Sequence, residues 1–340
     1  MAPQRDPVER SADDSVDLYD VSTWEPRSAV DRFATLLYAG LNYGLRTLVL
    51  VATVAITLSL LATPAVLVAD EPLLGVFFGL SVVPALVLAA YIWYADITTS
   101  EPLKLLVATF LLAILFATFA GIVNEIGRYL LSPLPAVIGT LLFFYLVVGP
   151  IEEGVKLLAV RVLAFRSKSF DAVIDGAVYG AVAGLGFAAI ENAIYISGTL
   201  AELDSGMGLF TAATGIATVR ALVGPGHVIY SAIAGYYLGL AKFNPEHAGP
   251  LVVKGLLVAS LFHATYNATV QVAPGLIAGF HPAIGPEIAF VGYVILYDLV
   301  VGFYLYRKIS RYRRTYSDVR VTADADDITP ERTEFDPSHR

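Results

Sequence analysis

Residues 171–197, DAVIDGAVYGAVAGLGFAAIENAIYIS, decide the fold. Their charges are confined to Asp171 and Asp175 at one end and Glu191 toward the other. Everything between is apolar or small. Wound as a helix at about 1.5 Å per residue, such a run crosses the roughly 30 Å of a bilayer's hydrocarbon core. Gly176, Gly180, Gly184, Phe187 and Glu191 recur every three or four residues, so they share one helix face. Small residues at that spacing let a neighbouring backbone come close. The stripe is therefore read as packing, and it leads to a carboxylate at a depth where charge is costly. Asp171 and Asp175 sit near the end of the span, where solvation is the simplest account.

The rest of the chain follows the same pattern. Of 340 residues, 56% are hydrophobic and 15% charged, with a mean hydropathy of +0.68. Soluble domains carry roughly 25% charged residues. Further spans are read near 46–69, 73–95, 103–124, 134–165, 208–242, 249–271 and 286–306. The fold class is thus all-α, a polytopic integral membrane protein with about eight transmembrane helices. The runs at 134–165 and 208–242 exceed one upright span, so they are expected to tilt, to protrude, or to break at Pro150 and Pro225. The absence of cysteine excludes disulfides and thiolate chemistry.

Basic residues set the orientation. Arg27, Arg32 and Arg46 precede the first span. Lys104, then Arg161, Arg166 and Lys168, then Lys242 and Lys254 flank alternate loops, and Arg307–Arg314 follows the last span. The opposite loops hold little beyond Arg128. Basic residues mark the cytoplasmic side, so both termini are expected there. Three regions result: an acidic cytoplasmic region at 1–45 expected to be disordered, a transmembrane domain at 46–306, and a basic juxtamembrane segment with an acidic tail at 307–340. No secretory signal is visible in the polar N-terminus.

Four consecutive spans carry ionisable groups into the apolar layer. They are Glu152, Glu153 and Lys156; then Glu191 and Asn192; then Arg220 and His227; then His263 and Asn267. Intramembrane charges of this kind usually face a protein interior or a water-filled cavity. Lys156 lies angularly between Glu152 and Glu153 and can pair with either. Counted from the cytoplasmic ends, Glu153, His227 and His263 lie roughly 18–23 Å deep, with Glu191 deeper. One shared chamber is compatible with these depths. Several chemistries fit. Paired carboxylates can split the roles of general base and protonated partner. A Glu activating water and a His donating to an oxyanion hydrolyse a peptide bond. Two His and one Glu are also a common zinc set, although H-E-x-x-H is absent. Ser231 and Ser260 lack a nucleophile-elbow context. Against function, Glu152, Glu153 and Lys156 make a plausible structural ion-pair knot, and lone buried histidines are commonly core residues. Asp298 in the last span has Tyr293 and Tyr297 as its candidate partners.

The combination Glu152-Glu153-x-x-Lys156, Phe187-x-x-x-Glu191-Asn192, His227 and His263-x-x-x-Asn267 resembles the PrsW family of intramembrane proteases. The resemblance covers roughly 134–271, taken as the catalytic core, and the stretch from Asp175 to Asn192 is especially similar. More distantly it extends to the CAAX-processing and bacteriocin-immunity-type membrane proteases, whose second motif ends in His where this chain has Glu191.

The resemblance implies an endopeptidase that hydrolyses membrane-anchored proteins in or near the bilayer of the cell membrane. It implies catalytic roles for Glu152, Glu153, Lys156, Glu191, His227 and His263. Phe187, Asn192, Arg220 and Asn267 support them, with Asn267 orienting His263 and Arg220 pairing with a buried Glu. Under a metal-dependent scheme one Zn2+ is held by Glu191, His227 and His263. Under a glutamate-dependent scheme there is no cofactor, and Glu152 or Glu153 takes the proton from water. The implied partners are a membrane-anchored protein substrate and the lipid bilayer, with no nucleic acid. An ion-coupled transporter and a non-catalytic scaffold of the same fold are the alternatives. A transporter is disfavoured because no repeat relates the two halves. A scaffold is disfavoured because all four motifs are intact.

Overall fold

The computed structural model describes residues 17–19, 24–98, 100–201, 207–280 and 283–326. His281, His339 and the outer parts of both tails lie outside them. Among the described residues there are ten α-helices: α1 (Ala29–Asp70), α2 (Leu73–Tyr94), α3 (Leu103–Leu131), α4 (Ala136–Leu142), α5 (Gly149–Val162), α6 (Val173–Leu200), α7 (Met207–Phe243), α8 (Ala248–Thr269), α9 (Ala273–Phe280) and α10 (Pro286–Asp326). Eight stretches are long and apolar enough to cross a membrane. The protein is therefore a multi-pass membrane protein, and the eight expected spans are found with ends shifted by a few residues. The larger shifts are at 131, where α3 runs on, and at 319, where the last span extends past 306.

The chain divides into two compact units, Met1–Ala55 and Ile56–Arg340. In the first, helix covers residues 29–45, part of the region expected to be disordered. Its start is well capped. The Ser28 amide donates to Asp31 Oδ2 at 2.7 Å, and the Asp31 amide donates to Ser28 Oγ at 3.1 Å. This reciprocal pair satisfies two amides that the first turn leaves free.

In the second unit α6 is the central helix. Within its most apolar window 83% of residues are buried, against 61% in α7 and 17–33% in the other spans. The glycine stripe explains this. A methyl group on Gly176, Gly180 or Gly184 would stand 2.1, 2.3 or 2.4 Å from the carbonyl oxygens of Gly235, Ser231 and His227 on α7. Only hydrogen fits there, so the two backbones touch along three turns. The surfaces of the outer helices present Leu86, Val87, Leu257, Leu261, Leu299 and Val300, all exposed, as lipid-facing helices do.

The two long runs differ in how they treat their prolines. Ahead of Pro150 the chain widens into a π-helical segment, Phe143–Val148. Proline has no N–H and its ring crowds the preceding turn, so a wider turn relieves both problems. Across Pro225, α7 stays continuous from Met207 to Phe243.

Candidate active site

The π-helical segment ends where the first motif begins. Gly149 opens α5, and a methyl group there would stand 2.7 Å from the Ser260 carbonyl oxygen. Glu152 and Glu153 follow one turn later, and His263 lies one turn beyond Ser260. A backbone contact between α5 and α8 thus brings carboxylates and imidazole together. The Gly184–His227 contact does the same for α6 and α7, and Glu191 follows two turns along α6.

Glu153 is fully buried and fully engaged. Its Oε1 lies 2.7 Å from Lys156 Nζ and 2.9 Å from His263 Nδ1, and its Oε2 accepts from Ser231 Oγ at 3.1 Å. Lys156, also buried, lies 3.0 Å from His227 Nδ1 and 3.9 Å from Glu152 Oε2. Its ammonium sits 4.1 Å above the Phe187 ring, where the negative face of the aromatic favours a cation. Phe187 also packs against His227, with ring centroids 5.4 Å apart.

Glu152 is held differently. Oε1 accepts from Asn124 Nδ2 on α3 at 3.0 Å. Oε2 is buried with no hydrogen-bond partner and lies 3.6 Å from His263 Nε2. Across the cavity, Glu191 Oε2 meets Arg220 Nη2 and lies 2.9 Å from His227 Nε2. Arg220 Nε donates to Asn192 Oδ1 at 2.8 Å, and Asn192 Nδ2 donates to the Ser81 carbonyl on α2 at 3.0 Å. The pair of buried Arg220 and half-buried Glu191 is therefore braced by a chain of neutral groups reaching a third helix.

These residues line a cavity of about 500 Å3 that includes Glu152, Glu191, Arg220, His227, His263 and Asn267. Tyr195 and Tyr266 add aromatic wall. The chamber gathers residues from α3, α5, α6, α7 and α8, and four of these five helices are the ones whose polar groups had compatible depths. One ligand atom each from Glu152, His227 and His263 lies within 4.8 Å of the others. The donor chemistry, two imidazoles and a carboxylate, suits zinc. The partnerless Oε2 of Glu152 is the atom such an ion would satisfy.

Among the residues singled out from sequence, Arg220 pairs with Glu191, Asn192 supports that pair, and Phe187 lies under Lys156. Glu191 is taken up by Arg220, and the converging ligand atoms belong instead to Glu152 with the two histidines. Asn267 lines the chamber, while the Nδ1 of His263 is held by Glu153. Asp298 Oδ1 is buried without a partner in a separate apolar cavity. Its expected partners are otherwise engaged, Tyr297 with the Phe262 carbonyl and Tyr293 with Thr269. Asn124 and Ser81 were not anticipated. The only signal for Asn124 was one amide near the end of an otherwise generic span. Asp175 is wholly buried, so the expectation of a solvated carboxylate there is overturned. Its Oδ2 accepts the amides of Asp171 and Ala172 at 2.7 and 2.9 Å, capping α6.

Residues 101–300 match the model of a family described as PrsW family intramembrane metalloprotease. Among curated proteins, the chain is 28% identical over 188 residues to Protease PrsW of Bacillus subtilis, covering 55% of this chain and 78% of that protein. It is 26% identical to Protease PrsW of Shouchella clausii over 54% and 78% of the two chains. With Protease PrsW of Clostridioides difficile it shares 28% identity over 57% and 79%. No solved structure is significantly similar to it.

Proposed function

Because the chain belongs to the PrsW family of intramembrane metalloproteases, and is an intramembrane endopeptidase on that ground, we propose that the chamber between α3 and α8 is where it cuts. The observation that carries this reading is the buried, partnerless Oε2 of Glu152 facing His263 Nε2 at 3.6 Å. Glu152, His227 and His263 are the residues that would hold one zinc ion. When bound, such an ion polarises a scissile carbonyl and acidifies water.

The chain's own residues divide the remaining work. Glu153 accepts a hydrogen bond from the Nδ1–H of His263, which leaves the Nε2 lone pair facing Glu152. Lys156 donates to Glu153 and holds it in place. His227 touches Lys156 through Nδ1 and Glu191 through Nε2, and it gives up one of these contacts when it serves as a ligand. Glu191 stands outside the ligand set, lines the chamber and keeps a side chain 21% exposed. Arg220 and His227 both engage Oε2, so Oε1 is the atom that takes a proton from attacking water and passes it to the leaving amine.

The protease domain on this reading is 46–306, with its core at 134–271. Both termini face the cytoplasm of a cell whose bounding membrane holds the protein. The chamber lies nearer the end of the bundle that carries the α3–α4 connection, which is the extracytoplasmic half. The substrate is a membrane-anchored protein whose segment unwinds there. The test is elemental analysis of the purified chain, with cleavage of a model membrane substrate measured in parallel. About one zinc per chain, lost with activity in Glu152→Gln and His263→Ala, is the expected result. Chelator-resistant cleavage by a metal-free chain would move water activation to the Glu152–Glu153 pair.

A further inference from the structure

A second group of carboxylates lies away from the chamber, where α2, α3 and α6 end together. Asp96 follows α2, Glu101 precedes α3 and Asp175 sits in the first turn of α6. One carboxylate oxygen from each lies within 4.8 Å of the others. Each of the two aspartates has one oxygen tied to local groups. Asp96 Oδ1 accepts from the Thr98 amide at 2.8 Å and the Thr98 hydroxyl at 2.7 Å. Asp175 Oδ2 accepts the two amides described above. The opposite oxygens, Asp96 Oδ2 and Asp175 Oδ1, are buried with no hydrogen-bond partner. Both oxygens of Glu101, a residue only 5% exposed, are equally unpartnered. The wholly buried Tyr179 hydroxyl, one turn along α6 from Asp175, has no partner either and lies within electrostatic reach of all three carboxylates.

Acidic clusters on protein surfaces are common and are solvated. Here four buried oxygens are left unsatisfied, two of them on Glu101, while the second oxygens of Asp96 and Asp175 are fixed by local donors. A buried acceptor without a donor is costly, and three carboxylates at this spacing repel one another. The cation that approaches, Lys242, is spent elsewhere. Its ammonium donates to the Phe165 and Ser167 carbonyls at 2.8 and 3.2 Å. An all-oxygen, strongly anionic set from three separate helices matches a hard divalent cation.

We propose that Asp96, Glu101 and Asp175 form a structural site for one hard divalent cation of the calcium class, which ties together the ends of α2, α3 and α6. These helices also carry Ser81, Asn124 and the Glu191–Asn192 pair, so the site braces the scaffold of the catalytic chamber from its far end. The site is independent of the metal reading given for the chamber.

The test uses the full chain in detergent, stripped with chelator and titrated with calcium while its thermal unfolding is followed. The melting midpoint is expected to rise with the logarithm of calcium above its Kd, by about 5 °C once calcium reaches roughly 100-fold over that Kd. That rise disappears in Glu101→Gln and in the milder Asp96→Asn, and it persists in Glu152→Gln. No calcium-dependent rise in the parent, or an undiminished rise in Glu101→Gln, overturns the proposal. So does a midpoint that depends on pH and not on calcium, since a proton shared by Glu101 and Asp96 then satisfies the cluster. Terbium supplies a readout that needs no carboxylate variant. Its emission, sensitised by tyrosine, should be displaced by calcium in the parent and fall in Tyr179→Phe; emission unaffected by both changes contradicts the site.

Discussion

Glu153 Oε1 lies 2.9 Å from Nδ1 of His263, and through that bond one carboxylate of the adjacent pair sets the orientation of an imidazole whose other nitrogen faces the second carboxylate. The two glutamates are neighbours in sequence and do different things. Glu153 is saturated by Lys156, His263 and Ser231, while Glu152 keeps one oxygen without a partner. Glu153→Gln should therefore weaken metal binding by about 10- to 100-fold and lower cleavage without abolishing insertion. Zinc retention during dialysis against graded chelator measures the first effect. Parental retention would remove Glu153 from this role.

Glu152 and Glu191 should separate in their phenotypes. Glu152→Gln is expected to lose the metal and all cleavage. Glu191→Gln is expected to keep the metal and lose about 10²- to 10⁴-fold in kcat, the usual contribution of a positioned proton acceptor. Metal content and turnover, measured on the same preparations, distinguish the two.

Buried Arg220 pairs with half-buried Glu191, so removing the arginine leaves a poorly solvated carboxylate without its cation. Arg220→Met should destabilise the protein by up to about 3 kcal/mol. The double variant Arg220→Met with Glu191→Gln should recover most of that stability and none of the activity. Thermal unfolding of the single and double variants in detergent gives the comparison.

Gly184 touches the His227 carbonyl, and any Cβ there meets backbone and not a yielding side chain. Gly184→Ala should lower the melting midpoint by several degrees and displace His227. Gly79→Ala on α2, where a methyl group meets nothing within 4 Å, should leave the midpoint unchanged or raised. Equal behaviour of the two variants would refute backbone contact between α6 and α7.

Burial, with the neighbouring Asp96 carboxylate adding to it, pushes Glu101 from 4.5 up to about 9. A carboxyl whose folded pKa is raised stabilises the fold fully below the unfolded value and loses that contribution as pH climbs through the folded one. In chelator-treated protein the melting midpoint should fall between about pH 4.5 and 9, and Glu101→Gln should flatten that fall. Unfolding scans across this range check it.

The chain has no native cysteine, so single introduced thiols report orientation cleanly. Ser132→Cys, between α3 and α4, should react with an impermeant thiol reagent added outside intact cells. Lys168→Cys, between α5 and α6, should react only after permeabilisation. The reverse pattern would invert the topology read from the basic residues.

The sequence by itself determined the eight spans, the packing face of α6 and the four helices that carry polar groups to a common depth. Those features depend on the length of apolar runs and on helical period, which are local properties. It also exposed the members of the site, because ionisable residues stand out in an apolar layer. Only the tertiary structure decided their partners. It put Glu152 within ligand range of both histidines, left Glu191 shared between Arg220 and His227, and brought Asn124 from a span with no other distinguishing mark. It buried Asp175, which proximity to a helix end had suggested was solvated. Those outcomes rest on which backbones touch at Gly149 and Gly184, and on side-chain reach across helices far apart in the chain. Neither is encoded in the spacing of any single segment.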